Sequence, residues 1–173
     1  MRKAKTNQTE LTQSTISDIV IVKKARKKTA NAKTNVDPEV GQVAEGKVIP
    51  FLDKTHIKTE ELKTFLFESK KQKIEIETHE FSAVCPFSGL PDIAKVKIEY
   101  YPTTGIALEL KALKYYFMSY RMVGIYQEGV TAKIFNDLKK VLGHSNIKVV
   151  TIYNTRGGID VTCTESGKTS NSK

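Results

Sequence analysis

The segment Phe81-Ser82-Ala83-Val84-Cys85-Pro86-Phe87-Ser88-Gly89-Leu90-Pro91-Asp92 sets one thiol in a short loop with two prolines and a glycine, and a carboxylate follows. Proline fixes φ and glycine frees it, so a loop of this composition is shaped rather than floppy. A thiol and an acid held near one another are the minimum for covalent catalysis with proton delivery. The thiolate adds to an electrophilic carbon, and the acid protonates the atom that gains charge. The competing reading is that a lone cysteine is a small buried hydrophobe. No histidine adjoins Cys85, so its activation needs a base or a cation brought by the fold. Cys163 lies inside a predicted strand and reads as structural.

Three further segments carry polar chemistry. In Glu109-Leu110-Lys111-Ala112-Leu113-Lys114-Tyr115-Tyr116, a helix starting near Lys111 would project Lys111 and Lys114 to one face. Two ammonium groups beside a helix N-terminus suit phosphates, and a solvated face with Leu110 and Leu113 packing inward suits the same spacing. Gln127-Glu128 opens a second helix. A Glu there is a dipole partner or cap, or a carboxylate that accepts two parallel N–H bonds from a heterocycle edge. Arg156-Gly157-Gly158 suits a hairpin turn, and the guanidinium suits a phosphate. His56 and His144 read as loop residues and His79 as part of a strand's polar face, so no metal site is expected.

The elements that must position these groups follow from periodicity. Ile74, Ile76 and Thr78 alternate with Glu75, Glu77 and His79, and Val96, Ile98 and Tyr100 alternate with Lys95, Lys97 and Glu99. Both patterns predict half-buried strands flanking the Cys85 loop. A short apolar stretch at Ile106–Leu110 precedes helices over about Lys111–Val123 and Gln127–Leu142. The second helix carries a stripe of Val130, Ile134, Leu138 and Val141/Leu142 and ends at Gly143. Ile147–Tyr153 and Ile159–Thr164 then predict a hairpin turning at Asn154–Gly158. The order strand–strand, helix–helix, strand–strand makes an α+β unit with antiparallel strands. Residues 46–70, with Glu60-Glu61-Leu62, read equally as a leading strand or as a loop onto the body.

At 173 residues the chain supports one domain with a hydrophobic core plus a tail. Residues 1–36 hold nine Lys/Arg against Glu10 and Asp18, which is +7 of the formal +9, leaving 19 basic and 17 acidic groups in the rest. The high pI therefore describes the tail, and the body is nearly neutral. Residues 1–45 have almost no aromatic content, so they are expected to form a basic, disordered extension, with a transient ordered piece around Thr15–Lys28. The domain is expected at 46–165 and a flexible polar tail at 166–173. Two cysteines, the absence of a visible signal-peptide core and the shortness of the early run Ile19–Val22 point to a cytoplasmic protein without membrane attachment.

Cys85–Asp92, Glu109–Tyr116, Ser119-Tyr120-Arg121, Gln127-Glu128 and Arg156-Gly157-Gly158, occurring in this order, resemble the single-module form of the NADPH-dependent 7-cyano-7-deazaguanine reductases. These are the nitrile reductases of queuosine biosynthesis, a tRNA modification pathway. The likeness spans roughly Lys71–Thr164. It implies the tunnelling fold shared with GTP cyclohydrolase I: ββααββ units, each an antiparallel sheet with two helices on one face, assembled into a barrel with active sites at subunit interfaces. A homo-oligomer follows, expected as a decamer of two pentameric rings. The resemblance assigns Cys85 the attack on the nitrile carbon to form a thioimide, and Asp92 the proton delivery. It makes Glu128, Gln127 and Glu109 substrate-binding. It associates Leu110, Lys111, Ala112, Leu113, Lys114 and Arg156 with NADPH, used as co-substrate, with no metal. Familiar members have His before the substrate-binding Glu. This chain has Gln127, which can orient a substrate but cannot carry a proton at neutral pH.

Two alternatives stay open. The related archaeosine-type amidinotransferase forms the same thioimide on a nitrile already in tRNA, but lacks the NADPH signature that Glu109–Tyr116 retains here. A basic RNA-binding protein has only the N-terminal extension to support it, and no stable nucleic-acid partner is expected of the body.

Overall fold

The structure, a computed structural model, describes residues 43–44, 47–48 and 50–167. The basic extension and the ordered piece expected at Thr15–Lys28 lie outside the described residues, as do residues 168–173. The first elements are β1 (Val43–Ala44) and β2 (Lys47–Val48), an antiparallel pair that straddles the expected domain boundary at 45. Two short 3-10 turns, Lys54–His56 and Thr59–Glu61, then lead into β3 (Thr64–Leu66). Residues 50–67 are thus neither purely a strand nor a loose loop. Ile57 and Leu62 plug into the core at 6 % and 7 % exposure, and β3 pairs antiparallel with β6 (Ile106–Leu108).

The main sheet has four antiparallel strands in the order β4 (Ile74–Val84), β5 (Pro91–Tyr100), β7 (Ile147–Tyr153), β8 (Thr162–Ser166). Asp92, Ala94, Val96, Ile98 and Tyr100 of β5 and Ile147, Val149, Thr151 and Tyr153 of β7 are buried. Helix α1 (Leu110–Met118) packs on β4, and α2 (Gln127–Leu142) packs on β7 and β8. Val130, Ile134, Leu138 and Leu142 of α2 are each 0 % exposed, and burying each such side chain stabilises the fold by about 1.5–3 kcal/mol. The opposite sheet face carries a solvated charge ladder, with Lys73 between Glu75 (2.6 Å) and Glu99 (3.1 Å) and Glu77 between Lys95 (2.9 Å) and Lys97 (3.2 Å).

Strict alternation along β4 would turn Glu80 inward and Phe81 outward. A β-bulge between Thr78 and Phe81 prevents this: Thr78 pairs with Val96, but Phe81 already pairs with Ala94. The extra residue inverts the phase, so Phe81 and Ala83 enter the core at 1 % and 0 % exposure. The same shift sets the side to which the end of β4 delivers Cys85.

Three expected boundaries move. The apolar stretch expected over Ile106–Leu110 forms a strand only to Leu108, because the Glu109 carboxylate caps α1. Helix α1 ends at Met118, not Val123, because the chain beyond it is drawn into bridges. Val84 N–H donates to Val123 O (2.9 Å), and Leu52 N–H donates to Met122 O (2.7 Å). The last strand begins at Thr162, because Arg156–Ile159 closes its own tight turn, and it runs to Ser166. Gly167 N–H donates to Ile147 O (3.0 Å), so pairing continues into the expected tail.

A buried polar network ties the Thr59 turn and both helices together. Tyr116 Oη shares a hydrogen bond with Tyr120 Oη (2.5 Å) and donates to Asp137 Oδ2 (2.7 Å). Asp137 Oδ2 also accepts from Thr59 Oγ1 (3.0 Å) and Lys133 Nζ (2.5 Å). No helix among the described residues is long and apolar enough to cross a membrane.

Candidate active site

Cys85 is the first residue after β4, at 8 % exposure. Its N–H donates to Leu90 O (2.9 Å) and its carbonyl accepts from Gly89 N–H (2.8 Å), closing the loop into a compact turn. Gly89 stands at φ 70°, a left-handed conformation that a Cβ would strain. Ser88 Oγ accepts from Leu90 N–H (3.3 Å), leaving its hydroxyl inside the turn. Behind the loop, Val84 is stitched to the α1–α2 connection, where Ile125 N–H donates to Val84 O (3.0 Å). The loop that composition predicted to be shaped is therefore held from both ends.

Asp92 sits on β5 at 3 % exposure, since β5 alternates and even-numbered positions face inward. Cys85 and Asp92 share a cleft of about 390 Å³ with Tyr126, Gln127, Glu128, Asn154, Arg156, Ile159 and Val161. The first turn of α2 supplies Gln127 and Glu128, and its position is set partly by Tyr153 Oη donating to Gln127 O (3.2 Å).

The electrostatics suit a nucleophile and an acid side by side. Burial pushes the Cys85 thiol up, but the Ser88 hydroxyl, the Ser88 and Phe87 N–H groups and the Arg156 guanidinium outweigh it and leave the thiol below its ordinary value. Burial pushes the Asp92 carboxyl above its ordinary value. Glu128 adds to this, and Arg156 and the Gln127 amide offset part of it. A thiol that ionises more readily and an acid that holds its proton longer are what addition to a polarised carbon with proton delivery requires.

The structure thus brings together Cys85, Asp92, Gln127, Glu128 and Arg156 of the residues picked from sequence. It places the others elsewhere on this chain. Both Glu109 oxygens cap α1, accepting from Lys111 N–H (3.0 Å) and Ala112 N–H (2.7 Å), and Glu109 does not line the cleft. Ala112 and Leu113, expected at the cofactor, pack into the core at 5 % and 2 % exposure, whereas Leu110 is exposed. Lys111 lies over the Tyr115 ring at 5.8 Å, and Lys114 pairs with Glu80 beside Arg121 in a separate small hollow. These exposed cations fit the phosphates of a dinucleotide by charge. Sequence reasoning missed Ser88 as a thiol partner and Tyr126, Asn154, Ile159 and Val161 as cleft walls. Ser88 stood inside the loop already singled out, and the hairpin walls had no local signal.

Residues 91–172 match the family model described as QueF-like protein. The NADPH-dependent 7-cyano-7-deazaguanine reductases of Thermotoga petrophila and Thermotoga maritima are each 56 % identical over 119 residues, covering 69 % of this chain and 87 % of the relative. The protein of that name from Chloroherpeton thalassium is 40 % identical over 112 residues, covering 64 % of this chain and 96 % of the relative. Among solved structures, the archaeosine synthase QueF-Like in the apo form aligns with a TM-score of 0.52 at 26 % identity, over 56 % of this chain and 95 % of that one.

Proposed function

The chain belongs to the family of NADPH-dependent 7-cyano-7-deazaguanine reductases, and from that membership we propose how its cleft reduces the nitrile of 7-cyano-7-deazaguanine to the primary amine, 7-aminomethyl-7-deazaguanine, in queuosine biosynthesis. The observation that carries the reading is one cleft holding a thiol lowered in pKa, a buried acid raised in pKa and a carboxylate at the start of a helix. The Cys85 thiolate adds to the nitrile carbon. The electron pair of the broken π bond goes to nitrogen, which takes the Asp92 proton to give a thioimide. Glu128 accepts two N–H bonds from the deazaguanine edge and so aims the nitrile at Cys85. Gln127, in the same cleft as Asp92, orients the acid without itself exchanging a proton. NADPH, when bound, supplies the two hydride equivalents that convert a nitrile to an amine. Lys111, Lys114 and Arg121 are the cations that would hold its phosphates.

The working enzyme is a cytoplasmic homo-oligomer, two pentameric rings with sites between subunits. Three features support assembly between subunits: the cations of α1 lie off the cleft, strands β4 and β8 are edges of the sheet, and Phe87, Leu90 and Ile93 around the cleft are 40–46 % exposed. The archaeosine-type alternative has the weaker support, 26 % identity against 56 % for the reductases.

Purified protein mixed with NADPH and 7-cyano-7-deazaguanine should consume nicotinamide absorbance, two NADPH per nitrile, and Cys85→Ala should abolish both consumption and the covalent adduct. An adduct on Cys85 with no NADPH consumed would replace reduction by amidine transfer.

A further inference from the structure

We propose that Arg156 is a positioning residue for the nucleophile and the acid, supplying the positive charge that lets Cys85 add as a thiolate in a site without a histidine base. The inference rests on the reading of Cys85 as nucleophile and extends it to what activates the thiol.

The backbone under Arg156 is fixed. Arg156 N–H donates to Ile159 O and Ile159 N–H to Arg156 O, both at 3.0 Å, around Gly157 and Gly158 at φ 58° and 80°. Two successive positive φ values make a type I′ turn, the tight turn that matches strand twist, and only glycine takes both positions without strain. The turn is tied down on both sides. Thr155 Oγ1 donates to Asp160 Oδ1 (2.5 Å), and Asn154 N–H donates to Ile93 O (3.0 Å), next to Asp92. From this base the guanidinium reaches two groups at once. Nη1 donates to Asp92 Oδ1 (2.5 Å) and Nη2 donates to Ser88 Oγ (3.5 Å), and the group lines the same cleft as Cys85. A planar fork of five donors can hold both beside Cys85; a single ammonium could not do so with the same geometry.

The charges facing Cys85 show why such a cation matters. Asp92 of β5 and Glu128 of α2 are both carboxylates and oppose a thiolate. Tyr153 of β7 is neutral, its phenol pushed well up by burial. Among the described residues lining the cleft, Arg156 is the one cation, and no histidine lines it. Without Arg156 a thiolate would form beside two negative groups with only the Ser88 hydroxyl and the loop N–H groups to hold it. The guanidinium therefore works inside the thiol–acid pair, rather than as a cofactor ligand beside Lys111 and Lys114.

The test uses full-length protein in a Cys163→Ser background, so that alkylation by iodoacetamide reports Cys85 alone. The pH dependence of the alkylation rate is measured for this protein and for its Arg156→Gln and Arg156→Lys variants, together with KM for NADPH. Arg156→Gln should move the profile up by about one pH unit, making alkylation roughly tenfold slower on its rising limb, with KM for NADPH changed less than about twofold. Arg156→Lys, which keeps the charge, should recover at least half of the shift even if the Gln variant folds poorly. An unmoved profile in Arg156→Gln overturns the proposal, and a tenfold rise in KM for NADPH with the profile intact would make Arg156 a cofactor ligand instead. A shifted profile with no adduct from 7-cyano-7-deazaguanine would overturn the reductase reading and leave the role of Arg156 standing.

Discussion

Replacing Asp92 by Asn separates what this residue does for chemistry from what it does for the fold. The amide keeps the shape of the carboxyl and an oxygen for Arg156, but it cannot give up a proton at neutral pH. A positioned general acid contributes about 10²–10⁴ in rate, so turnover should fall by that factor, about 3–5 kcal/mol of barrier. Stability should respond differently. The folded-state pKa of Asp92 is raised, chiefly by burial, so the folded protein holds this proton more tightly than the unfolded chain. For a raised pKa, the group's favourable contribution is present below the unfolded value near 4 and is lost as pH rises through the folded one. Above the unfolded pKa, burial of this carboxyl thus costs stability, and Asn removes that cost. Against this stands the ion pair with Arg156, whose side chain is 42 % exposed, so its loss costs at most about 1 kcal/mol. Unfolding in urea at pH 7 should place Asp92→Asn within about 1 kcal/mol of the parent, and any gain should shrink as pH falls below 4. Turnover is read from nicotinamide absorbance and adduct formation from the mass of Cys85-containing protein. Turnover above a tenth of the parent's would end the role of Asp92 as proton donor. A loss of more than about 2 kcal/mol at pH 7 would show that the residue is there for the fold.

Two other outcomes are expected. Gln127→His should change turnover by less than about tenfold, roughly 1.4 kcal/mol, because Gln127 lines the cleft with Asp92 in an orienting role only; a larger gain in steady-state rate would mean that this position shuttles a proton. Tyr116→Phe should destabilise the fold by about 1–3 kcal/mol in urea titration, since at 0 % exposure its hydroxyl serves both Tyr120 and Asp137, and cleft alkylation kinetics should stay unchanged.

Much of the frame was legible locally. The stripe Val130, Ile134, Leu138, Leu142 and the glycine after it marked α2 with both ends in place, because a helix repeats its face every three to four residues and stops where the backbone turns left-handed. The alternation in β5 and β7 was equally plain, and Asp92 falls on the inward phase of β5. The Cys85 loop could be recognised as shaped from its Pro and Gly alone. Glu109 was harder. Three residues before Ala112 it could bind a ligand or cap a helix, and only the geometry shows both oxygens taken by backbone N–H groups.

What the sequence by itself determined is what period and composition encode: the antiparallel strands, the two helices, the loop bearing Cys85, and the family to which the motifs point. What only the tertiary structure decided is which distant groups meet. The bulge after Thr78 inverts the phase of β4, and no local pattern announces it, because a residue inserted without a partner is defined only by the opposing strand. The meeting of Arg156 with Asp92 and Ser88 is of the same kind. The chemistry of Cys85 depends on a side chain brought across the sheet by the register of β5 with β7, and the energy that fixes that register is spread over the whole buried face.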